Sequence, residues 1–217
     1  MKHKLVIFDL DGTLLDTIGD LASAVNYAMR MKGYPEHTLE EYRFFVGNGV
    51  RKLIERSLPE DKKGGPMEIE EDLRYFMQYY QDHLSDRTVP YRGIPELLAT
   101  LSSQGMMMAV ASNKYHKATT ALVSRLFPDI DFVAVMGQRE GVPTKPDPSV
   151  VYEIMRIAGV SEEEVLYVGD SGVDMQTAKN AGVESVGVTW GFRPVEELIK
   201  NQASHIADLP ECIKDFV

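Results

Sequence analysis

Acidic side chains collect where two apolar runs of this 217-residue chain end. Asp9 and Asp11 follow the run at residues 5–8, and Asp170 and Asp174 follow a later run. The carboxyl ends of parallel strands meet at one edge of a sheet, where open α/β folds bind their ligands. Two like charges about 4 Å apart repel by about 4 kcal/mol near a protein surface, so acids gathered there need a cation or a shared proton. The pattern predicts a metal site formed by Asp9, Asp11 and Asp170, with Asp174 behind it.

Mg²⁺ is the ion that this set of donors fits best. It is a hard cation that accepts one or two carboxylates, keeps several waters and completes its shell with phosphate oxygens. Zinc prefers histidine and cysteine ligands, and neither residue type occurs in these loops. Each pattern taken alone has a plainer explanation, because Asp11-Gly12 can form a turn and Asp170 and Asp174 can stabilise a helix N-terminus.

Groups that could hold a phosphate occur at matching places in the chain. Ser112-Asn113-Lys114 follows another apolar run, and Lys145 precedes Pro146 in a loop before a helix. A hydroxyl with backbone N–H groups and a lysine point charge are suitable phosphate ligands. Taken singly, Ser112 can cap a helix and Lys145 can be a surface lysine. Only the combination of the four loops in this order is specific.

The elements that carry these loops alternate between strands and helices. Five apolar runs of strand length are separated by stretches of helical period, which predicts an α/β fold with a doubly wound parallel sheet covered on both faces. The predicted strands are Leu5–Phe8, Met106–Ala111, Phe132–Val135, Val165–Val168 and Val186–Val188.

Residues 16–88 interrupt this alternation. Three amphipathic helices are predicted there, around residues 18–29, 50–58 and 69–84, with no strand pattern of comparable quality. We therefore expect an inserted, all-helical cap domain at residues 16–88. Residues 1–15 and 89–217 would form the α/β core domain.

Composition excludes several classes of function. The chain has 33 acidic and 23 basic side chains, a net charge of −10, which disfavours binding to nucleic acids and to anionic membranes. Cys212 is the only cysteine, so an intrachain disulfide is impossible. The first apolar run is stopped by Asp9, too early for a signal peptide or a membrane span. We expect a cytoplasmic protein, either a monomer or a homodimer.

Four short motifs, one in each candidate loop, occur in a fixed order. They are Asp9-Leu10-Asp11-Gly12-Thr13, Ser112-Asn113, Lys145-Pro146 and Gly169-Asp170-Ser171-Gly172-Val173-Asp174. Together they resemble the four motifs of the haloacid dehalogenase superfamily, in its phosphatase branch and over essentially the whole chain. The acidic residue at Asp11 marks phosphoryl transfer rather than dehalogenation. The resemblance implies a Rossmann-like core with a helical cap inserted after the first motif.

The resemblance also implies a role for each motif residue. Asp9 would attack phosphorus and become an aspartyl-phosphate, and Asp11 would act as general acid and then as general base. Mg²⁺ would be held by Asp9, the backbone carbonyl of Asp11, and Asp170. Asp174 would orient Lys145 or a metal-bound water. The phosphate would be held by residues of the first three motifs: Thr13, Ser112, Asn113 and Lys145.

The substrate is predicted from weaker signals. Several stretches resemble phosphoglycolate phosphatases within the superfamily: Asp16-Thr17, Asp20-Leu21-Ala22, Val46-Gly47-Asn48-Gly49-Val50 and Thr189-Trp190-Gly191-Phe192-Arg193. The loop at residues 137–141 lacks the acidic pair expected there. Gly49 opens a predicted helix whose free N–H groups could receive a carboxylate, and Arg51 adds positive charge or is simply solvated. A small phosphate monoester, 2-phosphoglycolate above all, fits this arrangement.

Three other functions stay open. The first two are a sugar phosphomutase similar to β-phosphoglucomutase and a pyrophosphatase of the same superfamily. A sugar mutase of this kind usually has a histidine in the first cap helix, where this chain has Asn26. The third is a signalling switch phosphorylated on aspartate, against which stand the helical insertion and Asp11.

Overall fold

The structure of the chain is a computed structural model, which describes residues 2–63 and 65–217. Its centre is a six-stranded parallel sheet with the strand order β5-β4-β1-β6-β7-β8. The strands are β1 Leu5–Phe8, β4 Met107–Tyr115, β5 Ala134–Gln138, β6 Val165–Gly169, β7 Glu184–Val188 and β8 His205–Ala207.

Strand β1 lies in the middle of this sheet, between β4 and β6. Phe8, its last residue, is in register with Val110 on one side and Val168 on the other. Every side chain of β1 is fully buried, as expected for a parallel strand covered on both faces. The loops after β1, β4 and β6 therefore leave the sheet side by side, and these are the loops that carry the predicted motifs.

Helices cover both faces of the sheet. They are α5 Ile94–Ser103, α6 His116–Leu126, α7 Ser149–Ala158, α8 Gly172–Ala181 and α9 Val195–Lys200. Alternate side chains of β1 point into different apolar clusters: Val6 and Phe8 into one, Leu5 and Ile7 into the other. The α/β prediction with a doubly wound parallel sheet is confirmed.

In the described residues, four α-helices lie between β1 and the rest of the sheet, one more than the sequence patterns predicted. They are α1 Ile18–Met31, α2 Leu39–Phe45, α3 Val50–Ser57 and α4 Pro66–His83. The unpredicted α2 buries only Tyr42, so it lacks an apolar stripe. It begins instead with a capping box in which Thr38 and Glu41 satisfy each other's backbone N–H groups. These helices share an apolar cluster of their own, which also takes in Phe192 from the loop after β7.

The helical segment joins the sheet through a short antiparallel ribbon, β2 Leu15–Asp16 and β3 Val89–Pro90. Close to this ribbon, the buried Asp20 accepts hydrogen bonds of 2.7–3.1 Å from the backbone of Arg87 and from both the backbone and the hydroxyl of Thr88. We infer a cap formed by residues 16–88, entered and left through the ribbon.

Several strand bounds differ from the sequence prediction. Strand β4 continues to Tyr115, so that residues 112–114 lie in the strand rather than after it. Strand β5 starts at Ala134, and the three-residue β8 has no apolar run that could have predicted it. None of the helices in the described residues combines the length and apolar character that a membrane crossing needs.

Candidate active site

Asp9 stands directly after β1 at the carboxyl edge of the sheet. Its carboxylate is almost fully buried, and its Oδ1 lies 2.9 Å from Nζ of Lys145. The angles of this contact do not make a hydrogen bond, so within the described residues Oδ1 of Asp9 is a buried oxygen without a donor. Burial, opposed by Lys145 and reinforced by Asp174, raises the pKa of Asp9 to about 7.

Lys145 enters the site from the loop before α7 and is 4% exposed. Its Nζ donates hydrogen bonds to Oδ1 of Asp174 at 2.7 Å, to the carbonyl of Ala111 at 2.9 Å and to the hydroxyl of Tyr167 at 3.1 Å. Burial alone would lower the pKa of Lys145, but the carboxylates of Asp174 and Asp9 raise it well above the ordinary value. The lysine is therefore a charged group held beside Asp9.

The two acids after β6 have different surroundings. Asp174 is the third residue of α8, and its Oδ2 accepts hydrogen bonds from the backbone and the hydroxyl of Ser171. Asp170 accepts a 2.7 Å hydrogen bond from the backbone N–H of Phe192. The sequence left two explanations for Asp174, a helix cap and a site residue. Both apply, because Asp174 binds Ser171 at the start of α8 and also Lys145.

A metal ion fits the centre formed by these acids. One carboxylate oxygen from each of Asp9, Asp170 and Asp174 lies within 4.8 Å of the others, and all three residues are buried. Burial, together with the charges of Asp174 and Asp9, raises the pKa of Asp170 well above its ordinary value. Gly12, at φ +87°, packs so closely on the Asp170 carboxylate that a Cβ would overlap it. Oδ1 of Asp9 has no hydrogen-bond partner in the described residues, and carboxylate oxygens are the ligands that a hard divalent cation prefers.

Asp11 differs from the prediction in where its side chain lies. Its carboxylate belongs to the cavity wall, but among the described residues it is absent from the three-carboxylate group. Both of its oxygens contact Nζ of Lys114, at 3.0 and 3.2 Å. The Asp11 side chain is therefore held at Lys114 and not in the three-carboxylate group.

Ser112, Asn113 and Thr13 are buried at the same edge of the sheet. Ser112 lines the cavity, and its Oγ accepts a hydrogen bond from the backbone of Lys114. Asn113 binds protein backbone: its amide donates to the carbonyls of Gly47 and Lys145, each at 3.1 Å, and accepts from Lys145 N. Thr13 lies outside the cavity wall with a buried Oγ1 that has no hydrogen-bond partner in the described residues.

A cavity lies between the sheet edge and the helical segment. The sheet side is polar and carries Asp9, Asp11, Ser112 and Asp170. The opposite wall is mainly apolar and is built by Leu21, Val46, Val50, Leu53, Phe76 and Tyr80.

The two residues predicted to select the substrate are placed differently. Gly49 lines the cavity at the start of α3, with φ +82°. Arg51 is absent from the wall; it is 53% exposed and pairs with Glu70. The structure therefore does not bring Arg51 to the substrate, because the second residue of α3 faces outward toward α4.

Arg193 is a cationic residue of this cavity that the analysis of single side chains did not select. It follows Phe192 in the loop after β7, and its Nη2 donates hydrogen bonds to the carbonyls of Phe44 at 3.0 Å and Val46 at 2.8 Å. Together with the bond from Asn113 to Gly47, these contacts hold the segment between α2 and α3 against the sheet. The stretch around Arg193 forms part of the resemblance to phosphoglycolate phosphatases, but no local pattern indicates which partner Arg193 binds.

Comparisons with known proteins agree with this geometry. A family model described as haloacid dehalogenase-like hydrolase matches residues 6–188. A curated phosphoglycolate phosphatase from Pseudomonas savastanoi pv. phaseolicola is 39% identical over 217 residues, covering 97% of this chain and 78% of the relative. One from Mesorhizobium japonicum is 34% identical, covering 88% and 85%. The crystal structure of a Lactobacillus delbrueckii subsp. bulgaricus protein provisionally assigned as a phosphoglycolate phosphatase superposes with a TM-score of 0.92 at 35% identity, covering 100% and 98%.

Proposed function

Because this chain belongs to the haloacid dehalogenase-like hydrolases, we propose that it is a Mg²⁺-dependent phosphatase that cleaves a small phosphate monoester, 2-phosphoglycolate above all, through an aspartyl-phosphate. The chain is a phosphoric monoester hydrolase, the activity that names its curated relatives. The chemistry of the site and the names of those relatives support the proposed metal, intermediate and substrate.

The observation that carries the proposal is the position of Asp9. Its Oδ1 is buried, forms no hydrogen bond among the described residues and lies 2.9 Å from the ammonium of Lys145, and Asp9 lines the cavity. A carboxylate that serves only to stabilise the fold is normally satisfied by donors. An unsatisfied carboxylate beside a fixed cation and a cavity is suited to nucleophilic attack.

In the first step, a carboxylate oxygen of Asp9 attacks phosphorus and the bond between phosphorus and the ester oxygen breaks. The departing alkoxide takes a proton from the carboxyl of Asp11, which lines the same cavity. Lys145 and the hydroxyl of Ser112 offset the negative charge that moves through the transferring group. The products are the free alcohol and phosphorylated Asp9.

In the second step, water attacks phosphorus and gives its proton to the Asp11 carboxylate. The bond between phosphorus and the Asp9 oxygen then breaks, which releases orthophosphate and restores Asp9. Asp11 ends this step protonated, so the cycle closes on the starting state. The mainly apolar wall contributed by the helices keeps other water away from the acyl phosphate.

Asp9, the backbone carbonyl of Asp11, and Asp170 would hold Mg²⁺ in this site. When bound, the ion neutralises the phosphoryl oxygens and lowers their repulsion with the Asp9 carboxylate. Asp174 keeps Lys145 in place from behind, since its own oxygens are occupied by Lys145 and Ser171.

The cap supports a compact, anionic substrate. Gly49 and the first turn of α3 line the cavity. Arg193, from the loop after β7, lines it as well. Backbone N–H groups at a helix start, together with a guanidinium, suit a carboxylate one or two carbons from the phosphate. The curated relatives named phosphoglycolate phosphatase support the same choice.

A panel of small phosphate monoesters tests the proposal, with orthophosphate release measured in Mg²⁺ and after its removal by EDTA. We expect Mg²⁺-dependent release, highest for 2-phosphoglycolate. Hexose phosphates and pyrophosphate belong in the panel, because isomerised sugar phosphate without orthophosphate would indicate a mutase. Pyrophosphate as the best substrate would indicate a pyrophosphatase. A phosphoryl-enzyme that lasts for minutes would instead indicate a signalling switch.

A further inference from the structure

Lys114 is a buried cation at the cavity that the proposed reaction has not yet used. It lies on β4 two residues after Ser112, lines the cavity and is 8% exposed. Its Nζ contacts both oxygens of Asp11, at 3.0 and 3.2 Å. Within the described residues, Asp11 is the only acid that forms an ion pair with it.

The cap closes over this pair through Tyr80. The ring of Tyr80, on α4, lies with its centroid 5.0 Å from Nζ of Lys114, and its hydroxyl is buried. An ammonium against an aromatic face is attracted by the ring, more so when water is excluded. Lys114 thus has one partner in the first motif of the sheet and another in the helical segment.

A carboxylate held at both oxygens cannot rotate freely about its χ2 bond. The contact also survives a change of protonation, because one oxygen can carry a proton while the other still accepts from Nζ. An acid/base group must donate and accept its proton at the same position. A cation that keeps the carboxylate in place in both protonation states therefore helps it to act. The neighbouring Lys145 cannot do this, because its three N–H groups are used by Asp174, Ala111 and Tyr167.

We propose that Lys114 is a positioning residue for the acid/base group Asp11 and that Tyr80 completes this arrangement when the cap is closed. The inference rests on the proposed function, since it assigns Asp11 the proton transfers. Lys114 acts through Asp11, in contrast to Lys145, which stands beside the nucleophile.

The test uses the dependence of rate on the leaving group. Lys114→Met should lower kcat/KM about 100-fold for an alkyl ester, whose alkoxide must be protonated as it leaves. For p-nitrophenyl phosphate, whose leaving group departs without a proton, we expect a loss of less than about fivefold. Because kcat/KM includes only steps up to transfer onto Asp9, hydrolysis of the phosphoryl-enzyme does not enter. Phenyl phosphate, which has almost the size of the nitrophenyl ester, should fall between them.

Further variants sharpen the result. Asp11→Asn should show the same dependence on the leaving group, and adding Lys114→Met to it should cause little further loss. Tyr80→Leu should show a weaker form of the same dependence on the leaving group. Tyr80→Phe keeps the ring and should not show this dependence. Lys117→Met, three residues away and exposed, is the matched control and should change nothing.

If Lys114→Met lowers kcat/KM equally for all esters and raises KM, Lys114 binds the phosphate and the inference is wrong. Unchanged rates for all esters would also overturn it. Circular dichroism shows whether Lys114→Met folds. If it does not, the two Tyr80 variants and Lys114→Arg decide instead, and we expect Lys114→Arg to keep most of the native rate with the alkyl ester. Failure of the proposed function looks different: the unaltered enzyme would then release no orthophosphate from any ester.

Discussion

Oδ1 of Asp174 accepts a 2.7 Å hydrogen bond from Nζ of Lys145, and both side chains are almost completely buried. The other oxygen of Asp174 is held by Ser171, so the acid is fixed on both sides. A buried ammonium needs such a partner, because leaving it unpaired in a dry site is costly. Asp174 therefore determines where Lys145 stands relative to Asp9.

This arrangement predicts different effects for the two acids after β6. Asp174→Asn should lower kcat about 10- to 100-fold, as is usual for residues that orient an active group, while changing the Mg²⁺ requirement little. Asp170→Asn removes a proposed ligand and should raise the Mg²⁺ concentration for half-maximal activity at least about tenfold. Mg²⁺ titrations of the two variants distinguish these effects. The assignment is wrong if both variants shift the titration equally.

Asp9→Asn should leave the fold intact and abolish turnover. The amide has the shape of the carboxylate but cannot attack phosphorus, and losing the nucleophile of a serine protease lowers kcat by a factor on the order of 10⁶. Orthophosphate release measures the loss, and circular dichroism serves as the folding control. Hydrolysis at near the native rate would show that Asp9 is not the nucleophile.

The raised pKa of Asp9, about 7, predicts how stability depends on pH without metal. Between about pH 4 and pH 7 the native state keeps a proton that the unfolded chain releases, so the free energy of unfolding falls as pH rises. Asp170, whose pKa is also raised, acts in the same direction.

Mg²⁺ should bind these carboxylates in place of the protons and offset the decrease in the free energy of unfolding. The rise in Tm on adding Mg²⁺ to metal-free protein should therefore be larger at pH 8 than at pH 5, because protons no longer compete for the carboxylates. Thermal unfolding at the two pH values checks this, and Asp9→Asn should reduce the difference. An equal rise in Tm at both values would contradict a metal site at these acids.

Arg193→Ala should loosen the cap. The guanidinium donates to the carbonyls of Phe44 and Val46, and a hydrogen bond to a charged group contributes about 1.5–3 kcal/mol. Losing them should shift the cap toward open states and raise KM about tenfold or more. Faster limited proteolysis between α2 and α3, measured without substrate, distinguishes a loosened cap from a lost substrate contact.

Arg51→Ala is the matched control for this variant. Arg51 pairs with Glu70 outside the cavity, and an exposed ion pair contributes only about 0–1 kcal/mol. KM for 2-phosphoglycolate should stay within about twofold of the native value. A large rise would return Arg51 to the substrate-binding residues that the sequence predicted.

The convergence of Asp9 and Asp170 was predictable because it depends on sheet geometry alone. Two apolar runs that become adjacent parallel strands must end at the same edge, and each acid comes directly after its strand. Helices with an apolar stripe were predictable for the same kind of reason, whereas α2, which buries only Tyr42, was not. Its capping box at Thr38 and Glu41 was the available signal.

Lys114 and Arg193 show why other parts of the site could not be predicted. The role of Lys114 depends on the last part of β4, where the pairing with β5 is irregular between Ala111 and Tyr115 and consecutive residues line the cavity. A strand period of two does not predict such an irregularity, so it could not have selected Lys114. Arg193 binds the carbonyls of Phe44 and Val46 because the helical segment docks on the sheet there, and no local pattern determines that docking.

The ribbon of β2 and β3 has a broader consequence. Leu15 pairs with Pro90 and Asp16 with Val89, so the polypeptide leaves and rejoins the sheet at neighbouring points. A segment whose ends already touch can be lengthened, shortened or exchanged over evolution without pulling on the strands that carry Asp9 and Asp170. Divergence in which esters are accepted can therefore accumulate on one side of the ribbon while the phosphoryl-transfer chemistry on the other side is inherited intact.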